Sequence, residues 1–521
     1  MWKIYQNAEF VLMWLGEEED SSNLAMELVQ LLHKAVSDGD RIVPLDAEPH
    51  RLDRLKDVFS NISFDQHWSA LGHLFKRPYW SRVWIVQVLF ASEAILCCGA
   101  LKANWRTLTL QLYLMSKSTV SYLSPAASHT LLGPTSLPIT LATMHTRQMI
   151  GEEMTFLDGL VFYRSRLATD PKDHVYAILN LVEHSDFKPD YSKSLYTLYR
   201  EVTKFMIEKY ENLDIFSACR KAHLRIFNLH TAVLSLVESL GSGVEAAMSE
   251  DWKAQSSGEI EEDSDMSAEH PSCHSLGLRD SHLNLTQRTR GISKLATIHK
   301  RLQQKYLPSW VPDWRDVVPE SGYLLLNYSD HCYYEASGTT KPKVHFPDDQ
   351  QILMADAIRI DGVKAVSPKV NGSGGVGLAI KGGWDLWRLG DHPTRLYGDQ
   401  EQQQDAFRHT IVVGRNLDGS KGNRHLSAHA VNTMFGLDFI AEGKQEDDEH
   451  PNDREYMSIH LMNPRLGFCI TNQGFMGRIP HGTQPGDIIV VFLGAKVPFV
   501  LRKHHNEDKY FLVGECCKFN K

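Results

Sequence analysis

Residues Arg77–Gly99 read RPYWSRVWIVQVLFASEAILCCG. Pro78 suits the first turn of a helix, where a missing N–H does no harm. Behind it Trp80, Val83, Trp84, Gln87, Val88 and Ala91 recur at helical spacing, so the stretch predicts a helix whose indoles seal a core. Trp68 and Phe75 approach from the preceding segment, and Arg77, Arg82 and Gln87 are the polar groups set among the rings. Ala94–Cys98 is a short apolar run closed by Gly99, the pattern of a buried strand.

Upstream, Phe10 to Leu15 (FVLMWL) is continuously apolar and ends at Gly16, which predicts a central parallel strand buried on both faces. Met1 to Asn7 reads as the last turns of a helix before it. Glu17 to Asp20 forms an acidic loop at the strand's carboxyl end. Ser21 or Ser22 can cap the next helix, which carries Leu24, Leu28, Leu31, Leu32 and Ala35 on one face. A domain that opens on a helix tail and an interior strand is expected to have earlier strands upstream.

The order of residues adds a resemblance. RPYWSRVWIVQ resembles the signature found late in the fungal heterokaryon-incompatibility (HET) domain, R-P-W-F-x-R-x-W-(V/I)-x-Q-E, with Val88 where the family has an acid. IYQNAEFVLMWLGEEE is similar to the family's middle block, a helix ending I-Y-x-x-A that leads into a strand ending W-L-G. The two blocks that precede it in the family, like S-Y-x-W-G and W-I-D-x-I-C-I-N-Q, do not occur, so the resemblance implies a truncated HET domain lacking roughly its first half. It marks Trp14, Gly16, Arg77, Pro78, Arg82, Trp84 and Gln87 as signature positions. The HET domain in turn resembles the Toll/interleukin-receptor fold, some members of which cleave NAD with a glutamate at a cleft beside strand ends. On that analogy Glu17 and Glu18 are the candidate catalytic residues, against the plainer reading of solvated loop acids.

The resemblance continues down the chain. In RSRLATDPKDHVYAILNLV, Asp170 reads as a helix N-cap, Pro171 as the first helical position and Asp173 as a first-turn acid, with Val175, Ile178, Leu179 and Val182 facing inward. With Tyr176 and the PDYSK turn at Pro189 to Lys193, this segment is similar to one that follows the HET domain in many of these proteins. Ser194 caps a helix bearing Leu195, Leu198, Tyr199, Val202, Phe205 and Met206. LPSWVPDWR, with Trp310 and Trp314, is an extended segment that docks by its indoles. From Leu466 onward five short strands, with the TQPGD turn at Pro485, Gly486 and Asp487, predict a small barrel and resemble the C-terminal module of the same proteins.

Between these blocks the chain is less informative. Thr155 to Tyr163 reads as helix, Asn104 as the cap of a helix from Trp105, and Ser116 to Pro138 as loop. Leu224 to Leu240 reads as an amphipathic helix, and Gly241 to His282 and Gly436 to Arg454 as acidic insertions. Ile352 to Val366 reads as two strands about a turn at Asp361–Gly362, and Gly377 to Leu389 as a helix with a weak middle at Gly382–Gly383. Gly372 to Gly377 matches G-x-G-x-x-G, but Ser367 and Pro368 separate it from the preceding strand, so it reads as loop.

Composition sets bounds. The chain has 521 residues, 42% apolar and 23% charged, as in ordinary globular proteins. A net charge of −9 argues against a dedicated nucleic-acid binder. Eight scattered cysteines, with no C-x-x-C, read as reduced thiols. No membrane span or targeting segment is legible, and the cytoplasm is the expected compartment. No zinc-protease, P-loop or nucleophile-elbow motif occurs. His425 with His429, and His270 with Cys273 and His274, are too sparse for a metal site. No cofactor and no metal is expected.

The expected fold class is therefore α/β, a partial Toll/interleukin-receptor-like HET domain, followed by a mainly helical region and a small barrel-like β-rich module. The divisions are 1–115, 116–223, 224–306 (an insertion), 307–465 (containing the acidic insertion 436–454) and 466–521. The expected function is non-self recognition and programmed cell death signalling through protein partners in a fungus, impaired by truncation. The alternatives are an NAD-consuming enzyme and an inactive remnant.

Overall fold

A computed structural model describes residues 2–36, 58, 60–106, 108, 109, 124, 127, 130, 137–149, 151, 154–182, 187–219, 307–315, 334–347, 351–368, 375–389, 396–411, 431, 432, 437, 466–504 and 508–518. The expected helix at Leu224–Leu240, the Gly241–His282 insertion and the histidine and cysteine sets at 270–274 and 425–429 lie outside them. So does the Gly436–Arg454 insertion, apart from the buried Leu437.

The chain opens with α1 (Trp2–Asn7), β1 (Val11–Trp14), α2 (Ser22–Val36) and α3 (Asp65–Phe75). β2 (Ala94–Cys98) pairs in parallel with β1, Val11 opposite Ala94 and Trp14 opposite Cys97. β3 (Leu101–Asn104) then returns antiparallel to β2, so Asn104 ends a strand that the sequence did not signal. The β-α unit is as expected, but β1 stands at the end of a sheet ordered β1-β2-β3. Met13 and Leu15 are buried, whereas Phe10, Leu12 and Trp14 are 48%, 53% and 50% exposed. The reading of β1 as buried on both faces is thus corrected: period two places one apolar row in the core and the other in the open.

Arg77–Phe90 is not one α-helix. Two 3₁₀ segments, Pro78–Ser81 and Val83–Phe90, are separated by Arg82 in an extended conformation. Arg82 bridges Leu167; Val83 N donates to Leu167 O at 2.9 Å, and Leu167 N donates to Ser81 O. That pairing outweighs the local helical preference. The tighter turn still buries Trp80, Val83, Val86, Gln87 and Val88.

Among the described residues that follow are α4 (Leu137–Met149), α5 (Phe156–Phe162), α6 (Asp173–Tyr176) and α7 (Leu195–Tyr210). Thr155 and Asp158 form a capping box on α5, and Ser194 Oγ accepts from Thr197 N at the start of α7. Val175, Ile178, Leu179 and Val182 are buried as expected, although only Asp173–Tyr176 is regular helix.

Next come the short pair β4 (Val344–His345) and β5 (Met354–Ala355), and then β6 (Ala357–Val366). β6 runs straight through Asp361–Gly362, so the expected turn there is a register shift within one strand. Gly362 N donates to Asp361 Oδ1, and Asn472 approaches so closely that a Cβ on Gly362 would stand 2.4 Å from its amide.

Helices α8 (Gly375–Leu389) and α9 (Gln400–Ile411) precede β7 (Leu466–Thr471), β8 (Met476–Pro480), β9 (Ile488–Phe492), β10 (Phe499–Lys503), β11 (Tyr510–Glu515) and β12 (Cys517–Lys518). The weak middle of α8 has a packing reason: a Cβ on Gly383 would stand 2.5 Å from the Phe468 ring, so glycine lets the helix lie close on β7. The seven-stranded sheet is ordered β11-β10-β9-β6-β7-β8-β12. Its two end strands are consecutive in the chain, joined through Cys516, so the sheet curls back on itself. The expected division at residue 466 therefore cuts a sheet that takes in β6. Val363, Cys469, Ile479, Ile489, Val500, Val513 and Cys516 cluster on one side. On the other, Val490, Phe492, Phe499, Leu501 and Leu512 join a continuous core with Met13, Trp68 and Trp80.

Candidate functional site

Several signature positions fall in two networks, whereas Trp14 is half exposed on β1 and Arg82 contributes its backbone pairing with Leu167. The first is centred on Arg77. One guanidinium nitrogen donates to Leu15 O and Glu17 O, both at 2.9 Å, and to Cys98 Sγ at 3.3 Å; the other donates to Glu19 O at 3.2 Å. Arg77 thus gathers the carbonyls of the loop that leaves β1 and ties them to the end of β2. Gly16 begins this loop at φ +110°, and a Cβ there would stand 3.2 Å from Arg77 Nη1. Glycine fits both the backbone and the close approach. Gly99 N closes the arrangement by donating to Gly16 O. Glu17 and Glu18, the candidate catalytic residues, are exposed on this loop. What the site uses of Glu17 is its backbone carbonyl.

The second network joins the indole-rich segment to the helical middle. Trp84 Nε1 donates to Asp173 Oδ2 at 3.0 Å, and Tyr191 Oη donates to Asp173 Oδ1 at 2.7 Å. Asp173 stands in the first turn, as expected, but its buried carboxylate serves these two distant donors. Asp170 is not the N-cap expected of it: the helix begins at Asp173 with Lys172 at the cap position, Pro171 precedes it, and Asp170 Oδ1 accepts from Lys172 N at 2.9 Å in the turn before the helix. Pro171 O accepts from Tyr199 Oη at 2.8 Å, and Tyr176 Oη donates to Asp190 O at 2.6 Å. Gln87 donates its amide to Ala177 O. Pro78 opens the first 3₁₀ segment, and Arg166 reaches Trp80 O just beyond it.

Sequence reasoning missed the buried arginines that extend this network. Arg164 donates to Ala218 O at 2.9 Å and to Asp313 O, and its guanidinium lies over the Trp314 ring, 5.3 Å from the centroid. The signal was present in the R-S-R spacing, which places Arg164 and Arg166 two apart beside an apolar helix. Trp314 is fully buried, while Trp310 is partly buried and donates to Gln351 O at 3.2 Å, so both indoles dock. His174 is held neutral beside Arg164: burial and that cation lower its pKa to about 4.

In the curled sheet Asp487 accepts a bidentate pair from Arg502, both contacts 2.8 Å, and also accepts from Gln484 N at 2.8 Å. Gly486 provides the positive φ of the turn, and Pro485 stands exposed beside it. This carboxylate fixes the TQPGD turn against β10.

Among the described residues no group of three or more His, Cys, Asp or Glu side chains could hold a metal ion. No helix there is long and apolar enough to cross a membrane. Cys97 and Cys98, adjacent at the end of β2, form no disulfide.

Fold and site together define a mixed α/β protein in which buried polar groups tie the N-terminal β-α unit to the helices that follow it, while the curled β-sheet joins the same apolar core. Residues 1–87 match the family model described as heterokaryon incompatibility protein (HET), and residues 441–518 match the one described as Het-6 beta-barrel domain. The chain thus carries a HET segment, over the β-α unit, and a Het-6 barrel segment, over the curled sheet. No curated protein and no solved structure gives a significant match.

Proposed function

We propose that this protein acts in non-self recognition and in programmed cell death signalling in the cytoplasm of a fungal cell, through contacts with other proteins. The observation that carries this reading is the presence of HET and Het-6 barrel segments in one chain with a shared core. Phe216, from the helical middle, packs edge-on against Phe492 and Phe499 of the curled sheet, with centroids 5.5 and 6.1 Å away. A packed aromatic layer of this kind is a contact that a module coupling recognition to output would use.

The chemistry of the signature positions supports the same reading. Arg77 binds backbone carbonyls, Asp173 holds Trp84 and Tyr191, and Asp487 holds Arg502. These groups brace surfaces. The net charge of −9 favours protein partners over nucleic acid. Regulated expression in a fungal host tests the proposal: induction of soluble protein is expected to kill the cells. Undiminished growth at a confirmed level of folded protein would sink it.

A further inference from the structure

Arg478 is a cation enclosed between β8 and α9, with 1% of its surface exposed. Its hydrogen-bond acceptors are neutral carbonyls: Nη1 donates to Ile411 O at 3.4 Å and Nη2 to Leu466 O at 3.2 Å. Nε, equally buried, has no hydrogen-bond partner among the described residues. A buried charge calls for an opposite charge beside it. Cys517 is placed to supply one. It lies directly across the ladder from Arg478, in the β8–β12 pairing that closes the curl, so the two side chains share one face of the sheet. Burial pulls Arg478 down to about 10, still a cation at neutral pH, and the charge of Cys517 acts against that shift. The attraction is mutual, so the guanidinium favours the thiolate over the thiol. Cys517 forms no disulfide and is partly exposed, whereas Cys97, Cys98, Cys219, Cys469 and Cys516 are buried.

We propose that Cys517 is a modification site, a thiol that hydrogen peroxide oxidises to the sulfenic acid, activated by Arg478 across the strand pair. The thiol first gives its proton to water. The thiolate sulfur then attacks one peroxide oxygen: the S–O bond forms, the O–O bond breaks, and the departing hydroxide is protonated to water. Sulfur loses two electrons and the peroxide gains two. The guanidinium steadies the anionic sulfur before the step, and the Nε–H of Arg478 is a donor on the same face for the oxygen that the sulfur gains. Partial exposure gives the peroxide access to Cys517, and burial withholds it from the five other thiols named. β12 is held to β8 through Cys517 and Lys518, so oxidation acts where the curled sheet closes.

The test uses the full chain, fully reduced and freed of reductant. Hydrogen peroxide is added together with dimedone, which traps sulfenic acid, and the adducts are mapped by peptide mass spectrometry. Cys517 is expected to carry about tenfold more adduct, or better, than any of Cys97, Cys98, Cys219, Cys469 and Cys516. Alkylation of Cys517 by iodoacetamide, followed by the same mapping as pH is raised, is expected to reach half its maximal rate about one pH unit or more below the ordinary thiol value of about 8.5. Arg478→Met keeps an apolar stem and removes the charge; it should carry that midpoint back to about 8.5 or above, a change that a purely structural arginine would not produce. Near-ultraviolet circular dichroism checks its fold, and if it does not fold, the adduct and the midpoint of the natural sequence decide alone. No adduct at Cys517 overturns the proposal. So does an ordinary midpoint in the natural sequence, or an unmoved one in folded Arg478→Met.

Discussion

Trp84 and Asp173 stand 89 residues apart in sequence and are joined by one hydrogen bond, indole N–H to carboxylate, of 3.0 Å. Tyr191 completes the carboxylate from the opposite side at 2.7 Å. This one acid fastens the indole-rich segment that ends the HET match to the helical layer beyond it.

Trp84→Phe keeps the ring and removes the donor, leaving a buried carboxylate oxygen without its partner. A buried group so stranded costs about 1–3 kcal/mol. Urea denaturation is expected to show that loss, and Tyr191→Phe should add to it less than independently, because both donors serve Asp173. Full additivity would mean that the two bonds are not one unit.

Arg77→Met removes the clamp on three loop carbonyls. The expected result is local: faster backbone hydrogen exchange and proteolysis between Gly16 and Asp20, with a stability loss of about 1–3 kcal/mol. Gly16→Ala should reproduce the effect through strain at φ +110° and the 3.2 Å approach to Arg77. Unaltered exchange in both variants would contradict the clamp.

Asp487 is buried and paired bidentately with Arg502. Removing one partner strands the other charge, which costs about 3–5 kcal/mol. Asp487→Ala is therefore expected to destabilise the curled sheet more than the paired replacement D487L/R502M. Thermal melts of the two variants decide the order.

The pH dependence follows from two buried histidines. Burial lowers His174 and His145 to about 4, with Arg164 and Arg106 respectively adding to the effect. Asp173 and Asp313 act on His174 in the opposite sense. Both folded values lie below the unfolded one near 6.5. The unfolded chain therefore binds more protons in this window, and stability present above pH 6.5 is lost as the pH falls toward 4. At about 1.4 kcal/mol per pH unit, each histidine contributes about 3 kcal/mol of that loss. His174→Gln should flatten the profile of stability between pH 4 and 6.5, measured by denaturant midpoint.

Much of this arrangement was legible in the residues themselves. The β-α unit, the Ser194 cap, the inward row Val175 to Val182 and the five C-terminal strands follow from local pattern and are present. What escaped depends on distant partners. Arg82 is extended because Leu167 pairs with it, and this breaks a stretch whose spacing is helical. Asp361–Gly362 has the composition of a turn, yet β9 and β7 hold it within one strand. α9 has a polar sequence with few apolar residues, and packing of Phe407 against Trp384 and Phe468 makes it helix. At the site the signature residues were identified by their order, but their roles were not. Asp173 reads locally as a first-turn acid, and only the tertiary fold brings Trp84 and Tyr191 to it. Leu12 and Trp14 read as core, because a continuous apolar run does not say which of its two faces is covered.

The most direct test of the proposed function is viability after induced expression in a fungal host, comparing the natural sequence with Trp84→Phe and Arg77→Met at matched soluble levels. The account predicts death with the natural sequence and survival with both variants. Normal growth with the natural sequence, folded and abundant, would contradict a role in cell-death signalling.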